Sequence, residues 1–342
     1  MLSFRSVLVF IASFLMSSCD DRFRPIEHLE SYHEALARSK LIKFASVQKE
    51  PTPHLISLPN LRDRVLPLSQ FDIGLLDFLS LQRCEVGVIA GEKNSILGRV
   101  MPTSQRFVYE LKIIKAIESC SVGNESLINE LNIIAKAKRT ELPNAFSNAL
   151  WAGEEAEAFF SLSNGMIPMS PELSQYQELI RALEGLVIIK NDLQSLPNVT
   201  SKAFEAHMKA VLDSEYGGKL LVTLKELVSS LEYIAKAVES IHANSSNCQA
   251  PVRYLKQQFT KYYVTIIQPY MARINRVAYQ VLPYINELRE GAQGVPEQLT
   301  LFLAQFDEAE QSVWGRYKNA SIRHARAWSG LFQQCGIRPA EI

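Results

Sequence analysis

The densest group of side chains that could bind a ligand lies between residues 91 and 106. Glu92 and Asn94 are followed there by two arginines, Arg99 and Arg106, with hydroxyl and amide groups between them. Arginines can hold a carboxylate or a phosphate through bidentate hydrogen bonds, and binding residues often lie between short elements. These four residues are therefore the candidate binding site. The alternative is a solvated turn in which the arginines pair with Glu92 and Glu110.

A second chemical signal is the amino-terminal stretch that ends at Cys19. One cation, Arg5, precedes an apolar run from Val7 to Met16, and two serines then lead to the cysteine. A basic start, a short apolar run and small residues at the end are typical of a secretory signal peptide. The run is about half as long as the roughly 20 residues that a membrane-spanning helix needs. Residues 1–18 are therefore predicted to be a signal peptide, with a permanent transmembrane helix as the alternative.

The residues around this cysteine resemble the lipobox of bacterial lipoproteins, in which the thiol is acylated and the cysteine becomes the new amino terminus. Residues 15–19 read LMSSC, with methionine where such proteins usually carry leucine. The resemblance implies lipidation of Cys19 and an acylated tether over residues 19–24, since each buried methylene adds about 0.8 kcal/mol to anchoring. It also implies the periplasmic side of a bacterial membrane, and Asp20 and Asp21 favour the inner membrane over the outer. The alternative is ordinary cleavage that leaves a free or paired thiol.

The other cysteines are predicted to form two disulfides. The sequence has five cysteines, and acylation of Cys19 leaves an even number in an oxidising compartment. Of the three possible connectivities, we favour Cys84–Cys120, which brackets a local helical segment, and Cys248–Cys335, which joins two predicted helix ends. Four buried thiols in a cytosolic protein are the alternative. No pair has CxxC spacing, so neither a redox site nor a zinc knuckle is indicated.

Composition and motifs argue against several functional classes. The 36 lysines and arginines balance 36 aspartates and glutamates, which argues against a nucleic-acid partner because such proteins present a basic surface. His28 and His33 are five residues apart, and the sequence has no HExxH motif, so no metal is expected. No GxSxG, SxxK or P-loop motif occurs. We therefore expect neither an enzyme nor a cofactor.

Two long helices are predicted in the carboxyl-terminal half. From Leu220 to Ile241 apolar residues alternate four and three apart, the heptad spacing of a helix packed almost parallel to a neighbour. A matching stripe runs from Leu255 to Leu288, and Pro269 and Pro283 are expected to kink this helix without ending it. No alternating strand pattern and no internal repeat are present. The sequence predicts an all-α fold, an elongated multi-helix bundle with long antiparallel carboxyl-terminal helices and no sheet.

The helical pattern also predicts the domain organisation. Residues 25–165 are expected to form an amino-terminal helical part that includes a proline-rich extended segment over residues 40–70. Residues 166–342 are expected to form the long-helix bundle. The two parts could also make one continuous domain.

Three local signals refine this organisation. Pro143 is expected to interrupt a helix because proline lacks the backbone donor of a helix interior. Ser170 and Pro171 are expected to begin a helix, with the serine as its cap. Gly217 and Gly218 are expected to break or kink the helix around them.

The last helical run, residues 296–334, contains a basic stretch beside Trp314 and Trp328. Its cations are Arg316, Lys318, Arg323 and Arg326. One interpretation is a face that meets anionic lipid headgroups or a protein partner. The other is a solvated helix face with both tryptophans in the core.

One block of sequence resembles a known family. The block FDIGLLDFL at residues 71–79, Cys84, and NSILGRVMPTSQR at residues 94–106 are similar to an uncharacterised family of proteobacterial lipoproteins. The resemblance extends over most of the chain and implies the same envelope location, with no activity or ligand to carry over.

Together these features favour a structural or interaction protein that is tethered to a membrane by its lipid and docks another envelope protein. The alternative is a binding module for a peptide, glycan or lipid, and an enzyme without a recognisable motif comes third.

Overall fold

The chain is all-α over the residues that the structure, a computed structural model, describes: 24–47, 52–70, 81, 84–121, 123–244 and 246–337. Helices, turns and extended connections make up these ranges, and they contain no strand. The all-α prediction is therefore confirmed. The α-helices are α1 (Arg24–Ala37), α2 (Glu85–Asn94), α3 (Ile96–Arg99), α4 (Thr103–Ser119), α5 (Glu125–Trp151), α6 (Glu154–Phe160), α7 (Gln177–Asn191), α8 (Ser201–Ser214), α9 (Tyr216–Glu239), α10 (Ala250–Gln258), α11 (Gln268–Leu288), α12 (Glu297–Leu303) and α13 (Val313–Gln334).

A large hydrophobic core draws on residues from both halves of the sequence. It includes Leu29 of α1, Phe107 of α4, Leu224 of α9 and Trp328 of α13, all at most 6% exposed. A smaller core lies on the other side of α4 and is built around Leu131 and its neighbours. Helix α4 serves both cores because its apolar stripe is wide: Phe107 and Leu111 face the large core, whereas Tyr109 and Ile113 face the small one.

The long carboxyl-terminal helices pack as the heptad spacing predicts. Every apolar heptad position of α9, from Leu220 to Val238, is at most 2% exposed. The segment formed by α10, a π-helix (Phe259–Ile267) and α11 runs antiparallel to α13. Its first part contacts the end of α13, where the rings of Phe259 and Phe332 have centroids 5.6 Å apart. Its later part contacts the start of α13, where the Tyr317 hydroxyl donates to Asn275 at 2.9 Å.

The helix continues through both prolines of this segment, as expected. Pro269 lies in the first turn of α11, directly after the π-helix, and Pro283 lies inside α11. Proline cannot donate a backbone hydrogen bond, so a change of helical pitch immediately before Pro269 accommodates the missing donor. The helical path continues through both residues.

The prediction that Pro143 interrupts a helix is wrong. Helix α5 continues through it from Glu125 to Trp151. The residues on either side, Leu142 and Ala145, are at most 2% exposed, so their burial offsets the roughly 3 kcal/mol cost of an interior proline. Tertiary packing here overrides the local signal.

Two further local predictions are corrected by the structure. The helix expected at Ser170 and Pro171 begins later, where Glu172 and Gln175 form a capping box and a 3-10 turn leads into α7. Gly217 and Gly218 lie inside α9, and the chain breaks instead at Glu215, whose φ is 48°.

The two glycines permit close packing rather than a kink. A Cβ on Gly217 would lie 2.7 Å from ring atoms of Phe159 and Phe160, and one on Gly218 would clash with the Ser161 carbonyl. The missing side chains therefore allow α9 to pack directly against the end of α6.

The last helical run is interrupted, contrary to the prediction of one element over residues 296–334. Helix α12 ends at Leu303, a 3-10 turn follows, and α13 starts at Val313. Ser312 caps α13 by accepting a hydrogen bond from the Gly315 amide at 2.9 Å. The same hydroxyl lies 2.5 Å from the Asp307 carbonyl oxygen and 2.7 Å from that of Ala309, which fixes the turn.

The described part of the proline-rich segment, residues 52–70, is extended apart from a 3-10 turn at Leu61–Asp63. Two amide side chains hold it against the helices. Asn148 accepts from the Leu66 amide at 2.7 Å and donates to the Leu66 carbonyl at 2.8 Å. Gln305 makes the same pair of bonds with Ile56, both at 2.9 Å. Each amide thus satisfies both backbone groups of one extended residue, as a neighbouring strand would.

Candidate functional site

The four candidate binding residues are distributed over three helices. Glu92 and Asn94 lie exposed in the last turn of α2. Arg99 ends the short helix α3, and its side chain lies outside what the structure describes. Arg106 lies in α4 and is mostly covered, with 20% of its side chain exposed.

Arg106 is instead part of a buried ion network between the two cores. Its Nε lies 2.6 Å from Glu110 Oε1, and Lys138 Nζ lies 2.7 Å from Glu110 Oε2. Glu110 and Lys138 are 4% and 6% exposed, so the low dielectric around them strengthens both contacts. The alternative interpretation, in which an arginine of this stretch pairs with Glu110, holds for Arg106.

The neighbouring Tyr109 ring has cations close to it. Arg106 and Lys93 lie 5.3 Å and 5.4 Å from the ring centroid, within the range of cation–π contacts. Burial and the charge of Glu110 raise the pKa of Tyr109 to about 12, although Arg106 acts in the opposite direction. The phenol is therefore neutral at physiological pH, and the arrangement joins α2 to α4 without offering a reactive group.

The cysteine pairs favoured from the sequence lie at disulfide distance. The Cα atoms of Cys84 and Cys120 are 5.5 Å apart, and those of Cys248 and Cys335 are 5.1 Å apart. The first pair joins the start of α2 to the end of α4 beside the small core. The second joins the end of α13 to the connection between α9 and α10. Cys19, Asp20 and Asp21 lie outside the described residues.

A buried histidine forms a polar centre that sequence reasoning missed. His324 of α13 is 0% exposed, and its Nε2 accepts a hydrogen bond from the Trp328 indole at 3.1 Å. The Tyr32 hydroxyl of α1 lies 3.3 Å from the same nitrogen. The Tyr263 ring packs 4.3 Å from the imidazole, between ring centroids. One side chain thus joins α1, the π-helix and α13.

The polar centre around His324 has a structural role. Burial lowers the pKa of His324 to about 3, so the imidazole is neutral at ordinary pH. Because Nε2 accepts from Trp328, the proton lies on Nδ1, which is buried without a hydrogen-bond partner. A solute cannot reach this nitrogen, so general acid–base catalysis is not its role. Only the spacing of His324 and Trp328, four apart on one helix, was visible in the sequence.

A surface groove lies where α9 and α13 end side by side. It has a volume of about 260 Å³. Its floor is apolar and recessed, and its rim is polar. The lining residues are Val238, Glu239, Ile241, Arg326, Ala327, Gly330, Leu331 and Gln334. Arg326, one cation of the basic stretch in residues 316–326, lines this groove.

The comparison with protein families shows where the chain belongs. Residues 29–339, from the first helix to beyond the last, match the family described as "Protein of unknown function (DUF3080)". The chain belongs to the DUF3080 family. This confirms the expected membership of an uncharacterised family spanning most of the chain. No curated protein and no solved structure matches the chain significantly.

The described part of this DUF3080 chain was searched for metal-binding clusters and for membrane-spanning helices. Within the described ranges, no three His, Cys, Asp or Glu side chains come together so that they could hold a metal ion. None of the described helices is both long enough and apolar enough to cross a bilayer. Both tryptophans of α13 are 1% exposed, which places them in the core as the second interpretation of the basic stretch expected.

Proposed function

We propose that this DUF3080 chain is a lipoprotein tethered to the periplasmic face of a bacterial membrane, where it docks another envelope protein. The observation that carries the proposal is the pairing of Cys84 with Cys120 and of Cys248 with Cys335. Disulfides persist in oxidising compartments and are rare in the cytosol. Two pairs account for four of the five cysteines in the sequence, and the fifth is Cys19.

The sequence around Cys19 supports acylation of that residue. A signal-peptide pattern precedes it, two serines lie directly before it, and Asp20 and Asp21 follow. The aspartates support retention in the inner membrane. Helix α1 begins at Arg24, so a tether of only a few residues would hold the helical body close to the bilayer.

A docking role fits the described surface better than a small-molecule site. The groove between α9 and α13 and a second one between α1 and α9 have volumes of about 260 and 250 Å³. A larger hollow of about 920 Å³ beside the 3-10 turn Leu61–Asp63 is lined by that one segment alone and lies wide open to solvent, so it would not enclose a small molecule. Pockets for small molecules usually have roughly 300 to 1,000 Å³. Around α2 and α3, apolar side chains are strongly exposed, with Ile96 at 85% and Val100 at 75%. Where such side chains form a contiguous patch, they are typical of surfaces that meet a protein partner.

Substitution of Cys19 tests the tether. Cys19→Ala should abolish both palmitate labelling and globomycin-sensitive processing, because acylation needs the thiol. Ser17→Ala, which keeps a small residue before the cysteine, is the matched control and should remain labelled. Unchanged labelling of the Cys19→Ala chain would reject the proposal.

A further inference from the structure

The last helix carries an unusual distribution of charge. Helix α13 has four basic residues and no aspartate or glutamate among its 22 residues. Arg323 is neutralised by α9, since its Nη2 lies 2.8 Å from Glu239 Oε2 and its Nε lies 3.1 Å from Oε1. Lys318 lies 3.6 Å from Glu308. Arg326 is exposed, and no carboxylate of the described chain lies within ion-pair distance of it.

Arg326 stands at the rim of the groove between α9 and α13. Below it the floor is recessed and apolar: Val238, Ile241 and Leu331 are 2%, 7% and 4% exposed. Gly330 leaves the groove open, because a Cβ built on it meets nothing within 4 Å. The groove therefore combines a hollow for an apolar side chain with a cation beside it.

We infer that this groove binds an acidic amphipathic segment of the docking partner, an apolar side chain entering the floor and a carboxylate meeting Arg326. The inference rests on the proposed function and names the chemistry of its partner. Charge complementarity supports it, because Glu239 is already paired and Arg326 supplies the remaining charge at the rim. The recessed floor favours a protein segment over a lipid surface, since a side chain can enter between two helices where a bilayer cannot follow.

The chain offers a pair of variants that separates the groove from the helix around it. Gly330→Phe should fill the groove without disturbing the core, because the new side chain meets open space. Ser329→Phe is the control, since Ser329 is exposed on the same helix and does not line the groove. Arg326→Glu reverses the charge of an exposed residue, and Arg181→Glu does the same on α7.

Binding is measured with the purified full chain and two blocked helical peptides of roughly 14 residues, long enough to form a helix on the surface. One peptide carries leucines on one face and glutamates on the other, and its twin carries lysines in place of the glutamates. Fluorescence anisotropy should show the acidic peptide binding at least about tenfold more tightly than the lysine peptide. Gly330→Phe and Arg326→Glu should each weaken it about tenfold, with the two controls unchanged.

Three results would overturn the inference: equal binding of the two peptides, unchanged affinity in the Gly330→Phe chain, or displacement of the acidic peptide by phosphatidylglycerol vesicles but not by phosphatidylcholine vesicles. The last result would assign the groove to anionic lipid. These measurements do not involve Cys19. A failure here with normal palmitate labelling refutes the groove assignment alone, and a loss of labelling in the native chain refutes the tether alone.

Discussion

His324 shows how one polar side chain can organise a hydrophobic interior. Its imidazole is fully buried, accepts from Trp328 and lies beside Tyr32, which is 292 residues away in sequence. The rings of Tyr32, Tyr263 and Trp328 around it are apolar on their faces and polar only at one position, so the centre adds directional bonds to the packing. Among the residues that the structure describes, no carboxylate faces His324 to balance the positive charge of a protonated imidazole, because the facing groups are the aromatic rings of Tyr32, Tyr263 and Phe259.

The pH dependence of folding follows from the lowered pKa of His324. In the unfolded chain the residue takes up a proton near pH 6.5, whereas in the folded chain it does so only near pH 3. As the pH falls from 6.5, the unfolded state therefore binds more protons, and stability is lost. Between pH 6.5 and pH 5 the loss should be about 2 kcal/mol. Burial also lowers the pKa of His207, which acts in the same direction.

Urea unfolding at the two pH values measures this loss, with His324→Gln as the comparison. That variant keeps an acceptor for Trp328 and should show a smaller pH dependence. A native chain whose unfolding free energy is the same at pH 6.5 and pH 5 would contradict the assignment of His324 as a buried neutral base.

At the scale of elements, the sequence predicts best where one local period decides the structure. The heptad spacing of α9 gives both its extent and its buried face, because burial repeats with the turn of the helix. The cap of α5 is equally local, since the Asn124 side chain accepts hydrogen bonds from the amides of Ser126 and Leu127. Pro143 and Gly218 mislead, since their roles depend on neighbours that are distant in sequence.

The extended segment depends on side chains that replace a neighbouring strand. Asn148→Ala should lower the unfolding free energy by about 2 to 4 kcal/mol, because it leaves both backbone groups of the buried Leu66 without partners. Asn191→Ala removes an exposed amide that donates to Glu287 and should change stability by less than about 0.5 kcal/mol. Urea unfolding measures the free energy of unfolding of the two variants. Equal losses in both would show that the hydrogen bonds between Asn148 and Leu66 add no stability.

At the scale of the whole molecule, the sequence predicts the class of fold but little of its polar interior. The cysteine pairs could be predicted from the sequence, because an even count leaves few connectivities and the pairs join helix ends. The buried ion pair of Glu110 and Lys138 could not be predicted, since charged residues on a helix usually face solvent. The groove was also hidden, because it is formed by the ends of two helices about 90 residues apart.

Mass mapping of unreduced peptides checks the cysteine pairs in the chain purified from cells without reductant. It should find Cys84 linked to Cys120 and Cys248 linked to Cys335, which are 36 and 87 residues apart. On the chain-entropy model each link stabilises by about 4 kcal/mol, slightly more for the longer loop. Four alkylatable thiols, or crosslinks between other partners, would contradict the pairing.

The contact between Tyr32 and His324 has a consequence for biogenesis. Because the first helix packs on the π-helix, α9 and α10, and its Tyr32 also contacts His324 of the last helix, a nascent polypeptide cannot complete this packing until the ribosome has made almost all of it. We therefore expect the early segments to remain incompletely packed while synthesis continues. On the export route that we propose, this delay would preserve the unfolded form that translocation requires.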